Sequence, residues 1–303
     1  MPEGEPCLDF RDMTEADLEE GLRLSRASGW NQTIADWRLL LSLGPGLFRV
    51  ALEDGVVVAS GGAVRYGDAL AWICMILVDP ARRGHGIGTR IFEDVLGRTE
   101  AVVRRGGLRV VGLDATPQGR GLYVKCGFRD AGGIVRMRAE GSAGSALESR
   151  SPEPGAIQDL TPDVHRLTAE DLPGVLDRDR EVFGAERGAV LLWALGSAPG
   201  LAWTGARNGS IAYCFGRHGD HSDHVGPVVA EDPALAGDLV RACLARPRSR
   251  PLIVDARAEP SWLGALGGMG FREQRPFTRM YLGEARPPAR AALEPAVFGP
   301  EFG

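Results

Sequence analysis

Apolar residues along the first 140 positions fall into two periods, and their order predicts a mixed fold. Leu18, Leu22 and Leu24 follow Thr14-Glu15-Ala16-Asp17, where Thr14 is placed to cap a helix and the acids face its positive end. A second helical pattern surrounds Trp37, Leu39, Leu40 and Leu41. Strand-like runs at 47–52 and 56–64 flank Glu53-Asp54-Gly55, the turn of a hairpin. A third apolar run, 71–78, leads through a Gly-rich turn into a helix marked by Ile91, Phe92, Val95 and Leu96. Strands at 108–113 and 134–138 and a short helix at 119–125 complete the set. Helices packed on a largely antiparallel sheet place the chain in the α/β (α+β) class.

The Gly-rich turn is the most informative stretch. It reads Val78-Asp79-Pro80-Ala81-Arg82-Arg83-Gly84-His85-Gly86-Ile87-Gly88-Thr89. A turn between strand and helix aims free N–H groups and the helix dipole at one point, and the glycines let an anion come close. Arg83 adds a positive charge, so a phosphate or pyrophosphate is the expected ligand. Thr89 stands where a dinucleotide fingerprint needs its third glycine, and Gly88 where a P-loop needs lysine. The pattern V-x-P-x-x-R-G-x-G-I-G is complete, and it resembles the coenzyme A motif of the GNAT superfamily of N-acetyltransferases.

That resemblance implies that Arg83, Gly84, His85, Gly86, Ile87, Gly88 and Thr89 hold the pyrophosphate of acetyl-CoA. It also implies that the Val78 strand splays from its neighbour to pair with the pantetheine arm, and that an N–H near Val78 stabilises the reacting oxyanion. A second signature, Leu122-Tyr123-Val124-Lys125-Cys126-Gly127-Phe128, is similar to one that follows the fifth strand in the superfamily. By that likeness Tyr123 protonates the departing thiolate. Thr116 takes the place of an asparagine that often touches pantetheine. No acid lies on strand 71–78 to act as the usual base; Asp114 and Asp36 are the alternatives, with a relaying water. The segment after the first helix commonly shapes the acceptor pocket in the superfamily, which implies that Trp30, Asn31, Gln32 and Asp36 bind substrate.

The first 140 residues then repeat. Thr14, Asp17 and Leu18 match Thr168, Asp171 and Leu172, and Pro45-Gly46-Leu47 matches Pro199-Gly200-Leu201, at one constant spacing. Asp114-Ala115 matches Asp255-Ala256, and Arg136-Met137 matches Arg279-Met280, at two slightly different shorter spacings. The register marks a tandem duplication that lost residues between 209 and 255. That interval holds Val225-Gly226-Pro227-Val228-Val229-Ala230-Glu231-Asp232-Pro233 instead of a Gly-rich cradle, and Leu266 replaces the tyrosine. The second copy is therefore not expected to bind coenzyme A in the same way. Residues 1–140 are read as the catalytic domain, 141–160, rich in small residues, Pro and Gly, as a linker, and 161–303 as the degenerate copy.

Composition narrows the classes further. The 303 residues are 44% hydrophobic and 25% charged with net charge −5, and carry no basic run, so nucleic acid is not an expected partner. Cys7, Cys74, Cys126, Cys214 and Cys243 are scattered without metal-ligand spacing, which fits a reducing compartment; Cys74 and Cys243 are expected to be buried thiols. His218, His221 and His224 share a loop with Asp220 and Asp223, read as a polar turn with no metal. The acidic N-terminus lacks a signal peptide's apolar core, and no apolar run reaches the roughly 20 residues that span a bilayer. A cytoplasmic enzyme is expected, with no membrane partner; a homodimer is compatible with the sequence.

The expectation is thus an acetyl-CoA-dependent N-acyltransferase, moving acetyl to a primary amine of a small molecule. Two alternatives stay open: a catalytically silent acyl-CoA-binding regulatory protein, and an acyltransferase for a longer acyl-CoA.

Overall fold

The computed structural model describes residues 8–106, 109–141, 163–246, 249–287 and 289–303. Local chemistry sets the first elements. Asp17 accepts hydrogen bonds from Thr14 N and Oγ1, fixing the turn into α1 (Leu18–Ala27). Thr33 and Asp36 form a reciprocal capping box at the start of α2 (Ile34–Leu43). Then come β2 (Arg49–Glu53), β3 (Val56–Tyr66), β4 (Leu70–Val78), α3 (Ile87–Gly106), β5 (Val110–Ala115), α4 (Pro117–Lys125) and β6 (Phe128–Ala139). The edge strand β1 (Leu8–Asp12), which pairs with β2, had no clear pattern in the sequence.

The order returns in the second half as β7 (Val164–Arg166), α5 (Leu172–Phe183), α6 (Gly188–Ser197), β8 (Trp203–Arg207), β9 (Ser210–His218), β10 (Asp223–Val229), α7 (Pro233–Leu244), β11 (Leu252–Arg257), α8 (Pro260–Gly268) and β12 (Arg272–Leu282). A two-residue strand, β13 (Ala296–Val297), follows. The expected linker falls outside the described residues except for Gly141.

Among the described residues the strands join one sheet in the order β1-β2-β3-β4-β5-β12-β6-β11-β13-β10-β9-β8-β7. Each copy's last strand has crossed to the other. β12 pairs antiparallel with β5 of the first copy, and β6 with β11 of the second. β6 and β12 then pair with each other through the middle of the sheet. The two segments read as separate domains are interlocked, so neither half has a complete sheet of its own.

The pairing is reinforced by buried charge. Arg279 on β12 donates to both oxygens of Asp114 on β5, at 2.9 and 2.8 Å, and Arg136 on β6 to both of Asp255 on β11, at 2.7 Å each. The four side chains expose 6% or less. On one face of the sheet, helices of both copies share a single core, with Tyr66 set edge-on to Phe183 at 5.1 Å. A second cluster under α7 and α8 belongs largely to the second copy.

Candidate active site

A cleft begins where β4 and β5 part. The two strands pair in parallel only through Leu70–Trp72 and Val110–Gly112, so beyond Trp72 the β4 edge that faces β5 carries no strand. Met75 has φ +56°, and the β3–β4 register shifts between Ser60 and Gly62. The bulge falls where Met75 and Ile76 line the pocket beside the gap.

The Gly-rich turn closes the outer end. Asp79 Oδ1 accepts from Ala81 N at 3.0 Å and fixes the turn's entry. Gly84 and Gly86 lie at φ +86° and +75°, where a side chain strains the backbone, and a Cβ at either would meet only open space. The first bonds of α3 run from Thr89 N and Arg90 N to Gly86 O, at 3.1 Å each. The N–H groups before Thr89 are left for a ligand. Arg83 donates to Val78 O at 3.2 Å and Ser28 Oγ at 3.0 Å and has no carboxylate partner among the described residues. Val78, Arg83, Gly84, Gly86, Ile87, Gly88, Thr89 and Thr116 all line this open cleft, with exposed His85 beside it. A pyrophosphate and an extended arm fit these donors and this unpaired edge.

A second, smaller pocket lies behind Tyr123. The two spaces share Trp30, Ile76, Thr116, Tyr123 and Arg275, so Tyr123 stands at their junction. Its ring packs on Phe92 at 4.8 Å, and its hydroxyl makes no hydrogen bond to the described residues. Burial raises the hydroxyl's pKa well above its usual value, and Cys126 adds to the rise. Thr116 Oγ1 caps α4 by accepting from Gly119 N at 3.2 Å, which leaves its O–H free to donate.

The structure divides the expected acceptor residues. Trp30 and Gln32 line the inner cavity. Asn31 instead ties the two copies: its Oδ1 accepts from His221 N and Ser222 N at 3.0 Å, and its Nδ2 donates to Ser222 O at 3.0 Å. Asp36 is fully buried, bonded to Thr33 and paired with Arg217 at 2.9 Å. Asp114 reaches the cavity wall, but Arg279 occupies both its oxygens. Asn31, Asp36 and Asp114 are thus structural contacts between copies, because each is consumed by a partner from the second half. For Asp114 that partnership was legible in sequence only as matched Asp and Arg positions in the repeat; for Asn31 and Asp36 nothing in the sequence marked it.

The second copy supplies the missing walls. Arg275 and Phe277 of β12 face the inner cavity, and Pro300 and Glu301 come from the segment after β13. Glu301 accepts from Gln32 Nε2 at 2.9 Å and is ion-paired with Arg217. Trp72 Nε1 donates to Pro300 O at 2.8 Å and Tyr66 Oη to Phe302 O at 2.6 Å, fixing this segment beneath β4. No motif marked these residues in advance.

The second copy's own cleft is closed. β13 sits between β10 and β11, pairing with both, in the gap that corresponds to the first copy's open splay. A Cβ on Gly226 would lie 2.0 Å from Val297 O, so glycine is what lets the two backbones meet. Asp232 caps α7 by accepting from Ala234 N at 2.8 Å, and Glu231 stands beside it, putting carboxylates where an anion would need donors. Leu266, opposite in the repeat to Tyr123, is buried. Cys74, Cys214 and Cys243 are buried as well. The expected polar loop is only partly a loop: His218 ends β9 and pairs with Asp223, which with buried His224 begins β10, while Asp220 pairs with Arg26. Among the described residues no helix is long and apolar enough to cross a membrane.

Known proteins share this architecture. The profile of the acetyltransferase (GNAT) family matches residues 11–128, and that of an acetyltransferase (GNAT) domain matches residues 175–293. The holothin acyltransferase of Pseudoalteromonas sp. (strain SANK 73390) is 25% identical over 261 residues, covering 85% of this chain and 82% of that protein. A Pyrococcus horikoshii protein proposed to be an acetyltransferase superposes with TM-score 0.76 at 19% identity, over 100% of this chain and 98% of its own. A tandem GNAT protein from the clavulanic acid biosynthesis pathway superposes with TM-score 0.59 at 15% identity, over 92% and 100%. At these identities the two structures speak to fold alone.

Proposed function

Because the chain belongs to the GNAT acetyltransferase family, as a tandem member and an acyl-CoA-dependent acyltransferase, we propose that its first copy acetylates the primary amine of a small molecule. Carrying the reading is the junction at Tyr123, where a cleft shaped for an extended phosphate-bearing ligand opens into a second, smaller pocket. Acetyl-CoA supplies the activated acyl group. Residues 1–140 provide its cleft and 161–303 complete the acceptor wall, which explains why a copy without a cradle is retained.

Gly84, Gly86 and the start of α3 bind the pyrophosphate through N–H donors, and Arg83 neutralises its charge. The free edge of β4 orients the pantetheine arm, with Thr116 offering one hydroxyl. Trp30 and Gln32 position the acceptor. Tyr123 donates its proton to the leaving sulfur. Its raised pKa does not disfavour this role, because the burial that opposes a phenolate opposes a bare thiolate too. Asp114 and Glu301 are committed to arginines, so the amine's proton leaves through water. Unpaired, buried cysteines suit the cytoplasm.

Calorimetric titration with acetyl-CoA tests this reading, with one site per chain expected. Two sites would show that β13 yields to ligand, and no binding would overturn the acetyltransferase reading. The relative's name specifies acyl rather than acetyl transfer, so an acyl-CoA chain-length series belongs beside the titration, with holothin among the first acceptors.

A further inference from the structure

The inner cavity has an uneven charge inventory. Arg136 is matched by Asp255, Asp114 by Arg279, and Glu301 by Arg217 and Gln32. Arg275 is the exception. It has no ion pair among the described residues, and its Nε is buried without a hydrogen-bond partner. Its guanidinium lies 5.1 Å from the Phe277 ring centroid, and that of Arg136 lies 5.4 Å from the same ring. Two guanidinium groups therefore approach one aromatic ring, and only one is matched by a carboxylate. Burial and Arg136 together lower the Arg275 pKa to about 10, so it still carries its charge at neutral pH. In the same cavity Gln32 Oε1 is also buried and unpartnered, while its Nε2 is fixed on Glu301.

A half-buried charge with no carboxylate partner and a buried carbonyl oxygen with no donor are both unfavourable, and both line the same pocket. A ligand that brings an anion and an N–H donor relieves both. Arg275 lines the outer cleft as well as the inner cavity, as Tyr123 does, which puts the anion close to the reacting amine.

We propose that the acceptor is an anionic amine, its carboxylate or phosphate monoester bound by Arg275 and its nitrogen donating to Gln32 Oε1. This rests on the acyl-transfer reading of the same site. It makes Arg275, contributed by the exchanged strand β12, the residue through which the second copy sets acceptor choice.

Matched acceptors test it, by thiol release at saturating acetyl-CoA: amino acids against their carboxamides, and amino-alcohol phosphates against the free amino alcohols. The anionic members of one series should be used with kcat/KM higher by about tenfold or more, the scale of a charge-assisted hydrogen bond. Which series shows it separates carboxylate from phosphate. Arg275→Gln should raise KM for the anionic acceptor by a similar factor with a smaller change in kcat, Arg275→Lys should recover part, and the titration of either variant with acetyl-CoA should match the parent. Equal or better use of the neutral members in both series overturns the proposal. So does a preference that survives Arg275→Gln, or a variant whose loss lies in acetyl-CoA affinity, which would assign Arg275 to the cofactor. If the parent protein itself fails to bind acetyl-CoA, the acyl-transfer reading falls and this proposal with it; the acceptor comparisons, made only on a protein that binds, fail separately.

Discussion

Asp114 on β5 and Arg279 on β12 are held at 2.8 and 2.9 Å, 165 positions apart in the chain, and Asp255 with Arg136 repeats the contact across the sheet's centre. Each copy keeps both halves of the motif, and each half is used on the other copy's partner.

Removing one member of such a pair strands a buried charge. Asp114→Asn should destabilise the protein by about 3–5 kcal/mol, read by urea unfolding, while the kcat of the folded fraction stays near that of the parent. Intact stability with lost turnover would return Asp114 to the role of base.

Tyr123→Phe removes the proposed proton donor and little else, since the hydroxyl makes no hydrogen bond to the described residues. Turnover should fall by roughly 10²–10⁴-fold with acetyl-CoA affinity nearly unchanged. Unchanged turnover would end its candidacy as the acid.

Gly226→Ala places a methyl group against Val297 O, at 2.0 Å if nothing moves. β13 must shift, and the segment that carries Pro300 and Glu301 shifts with it. Thermal unfolding should occur at lower temperature, and acceptor KM should rise more than acetyl-CoA affinity falls. Normal behaviour in both would mean that β13 is not what holds the acceptor wall.

Acid should act through the same sheet centre in two stages. Burial lowers the pKa of His224 to about 4. A neutral buried histidine gives stability that is present above its unfolded pKa of about 6.5 and is lost as pH falls toward 4. Burial raises that of Asp255, but Arg136 and His224 override it and bring it to about 2. Its contribution, roughly 2–3 kcal/mol, is present above about pH 4 and is lost as pH falls toward 2. Unfolding free energy measured against pH should therefore decline below about 6.5 and again below 4. A flat profile from pH 6.5 down to 3 would contradict both assignments.

What the sequence determined was local or repeated. Thr14 and Thr33 cap, the glycines at 84 and 86 permit a left-handed backbone, and the motif around Tyr123 runs from the end of α4 straight into β6, so neighbours in the chain suffice to define them. The duplication was legible because register survives divergence. Tertiary structure alone decided which strand each copy completes. Asp114 and Asp255 recur at equivalent positions, as do Arg136 and Arg279, so either pairing satisfies the sequence pattern equally well. Only the available strand edges in space select the exchanged one. The same holds for the site: Asn31 and Asp36 have residue types suited to an acceptor, but the second copy consumes them. Arg275, in a strand with no motif, becomes a pocket residue because β12 crosses the sheet to lie beside β5.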